Sequence, residues 1–157
     1  MFILLFRIAA ASRRAVLLSL ASTSLSSLPE VAKADGLTDS FELSLSYSTL
    51  SQGLATWNGE VALMQLGQEG KLSKSVAQIT EPTLRRIAEA GGEAGRTAGS
   101  AYQKHSASML TNIFLARGAT KYETAAVAQQ YMDKARADAL LVQADLQALG
   151  SQAIDNR

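Results

Sequence analysis

The chain has no cysteine, one histidine, two prolines and few aromatic residues among its 157 residues. The absence of cysteine excludes disulfides, thiol nucleophiles and thiolate metal sites. The single histidine, His105, leaves no Glu-x-x-His pair of the kind that builds a di-iron centre and no second imidazole for a zinc site. The sequence therefore predicts a protein with no catalytic residues, no metal site and no cofactor of its own.

His105 is the one residue around which catalysis or pigment binding could be built. It lies in the segment AYQKHSASM, which has none of the glycines of a nucleophile elbow and no strand before it. We expect it to lie on a helix face, either exposed or hydrogen-bonded. The alternative is that the chain is an enzyme centred on His105 or a pigment carrier in which His105 binds the pigment.

A targeting segment is predicted at the start of the chain. Arg13 and Arg14 precede an apolar run over 15–28, Pro29 ends that run, and Ala32 and Ala34 provide small residues at the positions that a signal peptidase reads. We expect cleavage before Asp35, with 1–34 as the signal and 35–157 as one domain. The run is shorter than the roughly 20 residues that cross a bilayer, which argues against an anchor. The alternative is that this segment is a structural helix.

Charge argues against nucleic acid as a partner. The whole chain has a net charge of +1, but residues 35–157 have 11 basic and 13 acidic residues and a net charge of −2. No basic run remains in this part of the sequence. We therefore expect no nucleic-acid binding from the domain.

Hydrophobic spacing predicts an all-α fold, an up-and-down four-helix bundle. The first helix is predicted to break near TWNGE and to end at Gly67 and Gly70, and the second covers about 72–90, with Pro82 either kinking it or starting a new turn after Thr80. The third covers about 93–117 and closes at Gly118. The fourth follows a capping box formed by Thr120 and Glu123 and stops at Gly150. The inward positions are Leu43, Tyr47, Leu50, Leu54, Trp57, Val61 and Met64; Leu72, Val76, Ile79, Leu84 and Ile87; Ala98, Tyr102, His105, Met109 and Ile113; and Ala125, Ala128, Met132, Ala135, Ala139, Val142, Leu146 and Leu149.

The segment AGGEAGRTAGSA allows two interpretations. Gly91, Gly95 and Gly99 recur every four residues, and on a helix they would form a smooth ridge that a second helix could approach closely. The favoured interpretation is a flexible loop or a frayed helix start. It is not a nucleotide-binding loop, because no strand precedes it and no Lys-Ser/Thr pair ends it.

The arginine pair, with Ser12 before it and Val16 and Leu17 after it, resembles the twin-arginine export signal of bacteria and thylakoids. Lys33 at the cleavage site is tolerated by that route. The bacterial pattern usually adds phenylalanine and lysine after the pair, and both are missing here. Residues 1–29 also contain no Asp or Glu. The resemblance therefore favours the plastid thylakoid lumen, with the bacterial periplasm as the alternative.

Together with the predicted bundle, this signal gives the chain a resemblance to the PsbQ-type extrinsic subunits of photosystem II. The likeness rests on Arg13 and Arg14, on Ala32-Lys33-Ala34, and on a last helix over 122–150 that finishes LQALG. It implies a four-helix lumenal subunit without catalytic activity, peripheral on the thylakoid membrane and stabilising a photosystem or its antenna. Chlorophyll contacts would come only through the partner complex.

The second helix is predicted to present a modest basic patch of Lys71, Lys74, Arg85 and Arg86, and the docking residues predicted within it are Lys74, Arg85 and Arg86. Such a patch can meet an acidic surface of a partner, although a solvated helix face has the same composition. The alternative function is a periplasmic helical binding or assembly protein that bacteria export by the twin-arginine route.

Overall fold

The computed structural model describes residues 30–57, 61 and 67–155, and the side chains of 36–57, 61 and 67–151. The chain divides into two compact units, 1–36 and 37–157, and of the first only 30–36 are described. Helices and short connections make up all of the described residues, which confirms the all-α class. The helices are α1 (Glu30–Ala55), α2 (Gln68–Val76), α3 (Glu81–Ala90), α4 (Gly92–Tyr122) and α5 (Ala125–Asp155).

Apolar side chains from all five helices form one core in the second unit. The two longest helices, α4 and α5, bring small and medium-sized side chains to each other, so that their backbones run close together. Most of the predicted inward positions on these helices are buried, but Ala125 is exposed. The core consists of Leu43, Leu50, Leu72, Ile79, Leu84, Ile87, Tyr102, Met109, Ile113, Ala116, Met132, Ala135, Ala139, Val142, Leu146 and Leu149.

Two short helices, α2 and α3, occupy the region of the predicted second helix. The helix starts anew at Thr80, which caps α3 by accepting a hydrogen bond from the backbone N–H of Thr83. Pro82 lies in the first turn of α3, where its missing N–H would have had no helical partner. Of the two predicted roles for this proline, starting a new turn is therefore the correct one.

Glycine did not end the helices where it was expected to. The first helix stops at Ala55, beside the predicted break at TWNGE, but Gly70 lies inside α2 and ends no helix. Helix α4 continues through Gly118, and α5 continues through Gly150 to Asp155. A glycine inside a helix costs only about 1 kcal/mol relative to alanine, and the packed side chains around it outweigh that cost.

The predicted capping box is also wrong. Thr120 lies in the last turns of α4, and its hydroxyl donates to the carbonyl of Arg117. Thr124 caps α5 instead, because its Oγ1 accepts a hydrogen bond from the backbone N–H of Val127. The connection between α4 and α5 is thus shorter than the sequence suggested.

The glycine-rich segment is a helix contact, so the loop interpretation is wrong. Gly95 and Gly99 lie in α4 and face Ala88 of α3. A Cβ added at Gly95 would lie 2.6 Å from the carbonyl oxygen of Ala88, closer than any side chain can approach. Gly92, with a φ of +61°, makes the turn that brings α3 back onto α4.

Candidate functional site

The three predicted docking residues have different surroundings. Arg86 forms an ion pair with Asp39 of α1 at 2.6 Å and donates to the hydroxyl of Thr83. Arg85 is exposed and lies 3.8 Å from Glu89 on its own helix. Lys74 is exposed on α2. Arg86 therefore fastens α3 to α1, and Lys74 and Arg85 are the members of the patch that point to solvent.

Glu42 of α1 meets the start of α3. Its Oε2 accepts hydrogen bonds from the backbone N–H of Thr80 at 2.9 Å and from the Thr80 hydroxyl at 3.2 Å. Burial by itself would raise the pKa of Glu42. The hydrogen bonds from Thr80, a further hydrogen bond from Thr83 and the positive charge of Arg86 outweigh burial, so the pKa of Glu42 lies below its usual value. An ionised carboxylate also favours the helix N-terminus beside it.

His105 is half-buried on α4 and is bound to α5. Its Nδ1 lies 2.7 Å from Oδ2 of Asp145. Because an ionised carboxylate can only accept, Nδ1 carries the proton, and Nε2 is left as the nitrogen with a lone pair when the ring is neutral. The expectation of a hydrogen-bonded helix-face histidine is thus met, and the same geometry orients the ring for a ligand at Nε2.

A second carboxylate on α5 continues this polar seam. Oδ2 of Asp138 accepts from the hydroxyl of Ser108 at 2.8 Å and from the amide of Asn112 at 2.9 Å. Sequence reasoning missed both acidic residues. The available signal was their spacing of seven residues, which places Asp138 and Asp145 on one side of α5.

Tyr102 is a buried polar residue at the junction of α1, α2 and α4. Nearby, Oγ of Ser46 donates to the carbonyl of Ser75 at 2.8 Å. The Tyr102 hydroxyl makes no hydrogen bond within the described part of the chain. Burial raises the pKa of Tyr102 to about 12, and the nearby Ser46 side chain lowers it by less.

A buried carboxylate ties α2 to the end of α4. Glu69 is almost completely buried, and its Oε1 is paired with the guanidinium of Arg117, which is largely exposed. Because an unpaired carboxylate is costly inside a protein, this pair fixes where α2 begins on α4.

Several large apolar side chains remain exposed on the outer sides of the helices. The most exposed aromatic ones are Phe41 of α1 at 66%, Phe114 of α4 at 73% and Tyr122 of α4 at 77%. Others are Leu37 and Leu45 on α1, Leu110 and Leu115 on α4, and Leu140 and Leu141 on α5. Exposed apolar groups that recur on one helix side are a usual feature of protein–protein contact surfaces.

The targeting residues cannot be compared with the fold. Arg13 and Arg14 lie outside the described residues, and the side chains of Ala32 and Ala34 are not described, although α1 includes both positions.

Two general features concern ligands and membranes. Within 30–57, 61 and 67–155, no three acidic or histidine side chains come together as a metal site would need. In the same residues, no helix has the length and apolar character needed to span a bilayer.

Comparison with known protein families, with curated proteins and with solved structures finds no match to this chain. The twin-arginine and PsbQ-type resemblances therefore stay predictions.

Proposed function

We propose that this chain is a non-catalytic accessory subunit that docks on a larger membrane assembly and stabilises it. The twin-arginine resemblance favours a photosystem or its antenna on the lumenal side of the thylakoid. The observation that carries the proposal is the contrast between a closed core and exposed aromatic side chains such as Phe114 and Tyr122. A surface of this kind suits binding to a protein partner.

The engagement of the polar side chains also supports a structural role. Arg86, His105, Asp138 and Glu69 each bind a neighbouring helix. Such contacts fix the helices relative to one another, and a subunit that presents a rigid surface needs this. Lys74 and Arg85 are exposed cations that can add electrostatic attraction to an acidic partner.

We further propose that the second unit is an up-and-down four-helix bundle in which α2 and α3 together form the second member. Contacts between neighbouring helices support antiparallel pairing. On α1 and α5, Tyr47 accepts from Gln147 and Ser51 from Gln143. On α4 and α5, His105 meets Asp145 while Asn112 meets Asp138. In both pairs, residues later in one helix face residues earlier in the other.

The test is to solubilise the source membranes mildly, separate the complexes by size and charge, and identify this chain and its N-terminus by mass spectrometry in each fraction. We expect a chain that begins at Asp35 in a photosystem fraction, released as salt is raised. Migration apart from every pigment–protein complex would contradict the docking role. A chain with Met1 intact would contradict the targeting prediction alone.

A second candidate function is a pigment carrier, favoured by the geometry of His105. The Asp145 carboxylate lies 2.7 Å from Nδ1, so Nε2 would be the nitrogen that could ligate the metal of a bound pigment. Titration of the purified chain with a zinc porphyrin tests it. A shift of the porphyrin absorption band that His105→Ala abolishes would support this candidate, and a band unchanged by His105→Ala would remove it.

A further inference from the structure

The outer side of α4 has a row of apolar and aromatic residues, which we call the α4 stripe: Leu110, Phe114, Gly118 and Tyr122. Successive members are four residues apart, so they follow one side of the helix. Leu110 is 37% exposed, Phe114 73% and Tyr122 77%. The stripe extends over about three helical turns, which is the length of a short helical docking segment.

The stripe is separate from the core side of the same helix. Met109, Ile113 and Ala116 lie on the opposite side and are 0%, 2% and 0% exposed. These buried side chains form the core side of α4, whereas Phe114 and Tyr122 lie outside the core. Large exposed aromatic residues on a rigid helix are the usual anchors of a protein interface.

Gly118 makes the middle of the stripe flat. A Cβ at this position would meet no atom within 4 Å, so packing within the described protein does not require glycine here. A glycine in a helix costs about 1 kcal/mol relative to alanine. Between Phe114 and Tyr122 this position therefore contributes no side chain to the surface of the helix.

Charge along α4 identifies the chemistry of the partner. The helix contains Arg96, Lys104, Arg117 and Lys121 but only one acidic residue, Glu93. Lys121 lies beside the stripe, seven residues after Phe114, and its ammonium lies 5.1 Å from the ring centre of Tyr122. Arg117, three residues after Phe114, is on the same flank, where it is paired with Glu69 and remains largely exposed. The cations therefore border the apolar row on one flank.

We propose that the α4 stripe binds an acidic amphipathic helix of a partner protein, with leucine or aromatic residues on one face and Asp or Glu beside them. This inference rests on the proposed docking role and supplies the partner class. A second copy of the chain fits less well, because antiparallel pairing about Gly118 would bring Arg117 and Lys121 of both copies together. A lipid surface also fits less well, because Arg117 is fixed by Glu69 and is not free to follow lipid headgroups.

The experiment uses a synthetic helical peptide with leucines at every third and fourth position and glutamates beside them. A matched peptide has lysine in place of each glutamate. Binding to the purified chain is followed by backbone amide chemical shifts. We expect the glutamate peptide to shift amides around Phe114 and Tyr122, to bind at least about tenfold more tightly than the lysine peptide, and to weaken as salt rises.

Phe114→Ala is the decisive variant and Phe41→Ala its matched control. Phe41 is 66% exposed on α1, a helix with four acidic residues and one basic residue, so it shares the exposure of Phe114 without the cationic border. We expect Phe114→Ala to lower the affinity of the chain for the glutamate peptide about tenfold, and Phe41→Ala to leave that affinity unchanged. Both residues are exposed, and circular dichroism verifies that both variants fold.

Four results would overturn the inference. They are no binding of the glutamate peptide up to about 1 mM, equal binding of both peptides, equal affinity in Phe114→Ala and the native chain, and preferential binding to anionic phospholipid vesicles or to itself through Phe114. The membrane fractionation tests the docking role independently of the peptide experiment. If the chain separates from every membrane complex but still binds the glutamate peptide through Phe114, the proposed function is wrong and the inference about the α4 stripe is supported.

Discussion

The pair α4 and α5 and the pair α2 and α3 are held in place in different ways. Helices α4 and α5 have 31 residues each and meet through buried alanines, such as Ala116 and Ala135, with hydrogen bonds along one edge. Helices α2 and α3 have only 9 and 10 residues. Helices this short are unstable alone in water, so they depend on side chains from α1 and α4. The difference indicates that α2 and α3 will open before α4 and α5 do.

The largest effect that tests this comparison is expected from Leu72→Ala. Leu72 of α2 is completely buried, and its removal leaves a cavity that costs about 2–5 kcal/mol of the free energy of unfolding. Chemical denaturation measures the loss, and amide hydrogen exchange locates it. We expect exchange to rise most in α2 and α3.

Leu140→Ala is the control for Leu72→Ala, because Leu140 is half exposed on α5. It should change the free energy of unfolding by less than about 1 kcal/mol. An equal rise of exchange in α4 and α5 on Leu72→Ala would show that all the helices open together. The comparison between the two pairs would then fail.

The next largest effect is expected at the contact between the two pairs. Gly95→Ala places a Cβ 2.6 Å from the carbonyl oxygen of Ala88, so α3 must shift away from α4. We expect a loss of about 1–3 kcal/mol in thermal or chemical unfolding. The same substitution at Gly118, which has open space, should instead gain about 0.5–1 kcal/mol. Similar losses in both variants would mean that close approach at Ala88 is not the cause.

A smaller effect is expected at the start of α3. Thr80→Ala removes the helix cap and one hydrogen bond to Glu42, and should cost about 0.5–2 kcal/mol at pH 7. Thr80→Ser keeps the hydroxyl and should cost much less. Denaturant unfolding of the two variants, compared with the native chain, measures both costs.

The cost of Thr80→Ala should also depend on pH. The pKa of Glu42 is below its ordinary value of 4.5 in the folded chain, so its contribution is present above pH 4.5 and is lost as pH falls through the lower folded value. The substitution brings this pKa closer to 4.5. The difference in stability between the native chain and Thr80→Ala should therefore narrow below pH 4.5. A constant difference would show that Glu42 gains nothing from the Thr80 hydroxyl.

The buried positions of the long helices could be predicted, because the spacing of apolar residues at the helical period indicates which side of each helix faces the core. Met109, Val142 and Leu149 were placed on inward faces and are buried. The C-terminal ends of the two long helices could not be predicted, since glycine is a weak breaker when packing continues past it, as at Gly118.

Contacts between helices could not be predicted either, because the spacing within one helix gives its inward face but not its register against another. His105 was recognised as a helix-face residue, but its partner Asp145 lies 40 residues away. For the same reason, the sequence did not reveal that Arg86 would be used to hold α1 or that Phe114 would remain outside the core. The docking patch was therefore predicted by charge alone, without knowledge of which charges are engaged.

The smallest effect at neutral pH is expected where the short and long helices meet, at Tyr102. Its hydroxyl is buried without a hydrogen-bond partner in the described residues, so Tyr102→Phe should not lower the free energy of unfolding at pH 7 and should raise it by up to about 1 kcal/mol. Thermal unfolding measured at several pH values is the test. A loss above about 1 kcal/mol at pH 7 would mean that the hydroxyl is hydrogen-bonded in solution, by water or by Ser46.

The same substitution should matter at high pH. Burial raises the pKa of Tyr102 from 10.0 to about 12, so the stability that comes from keeping it neutral is present below pH 10 and is lost as pH rises toward 12. Tyr102→Phe removes this loss, and its stability should fall less steeply than that of the native chain between these values. Equal slopes in Tyr102→Phe and the native chain would show that solvent reaches the Tyr102 hydroxyl in the folded chain.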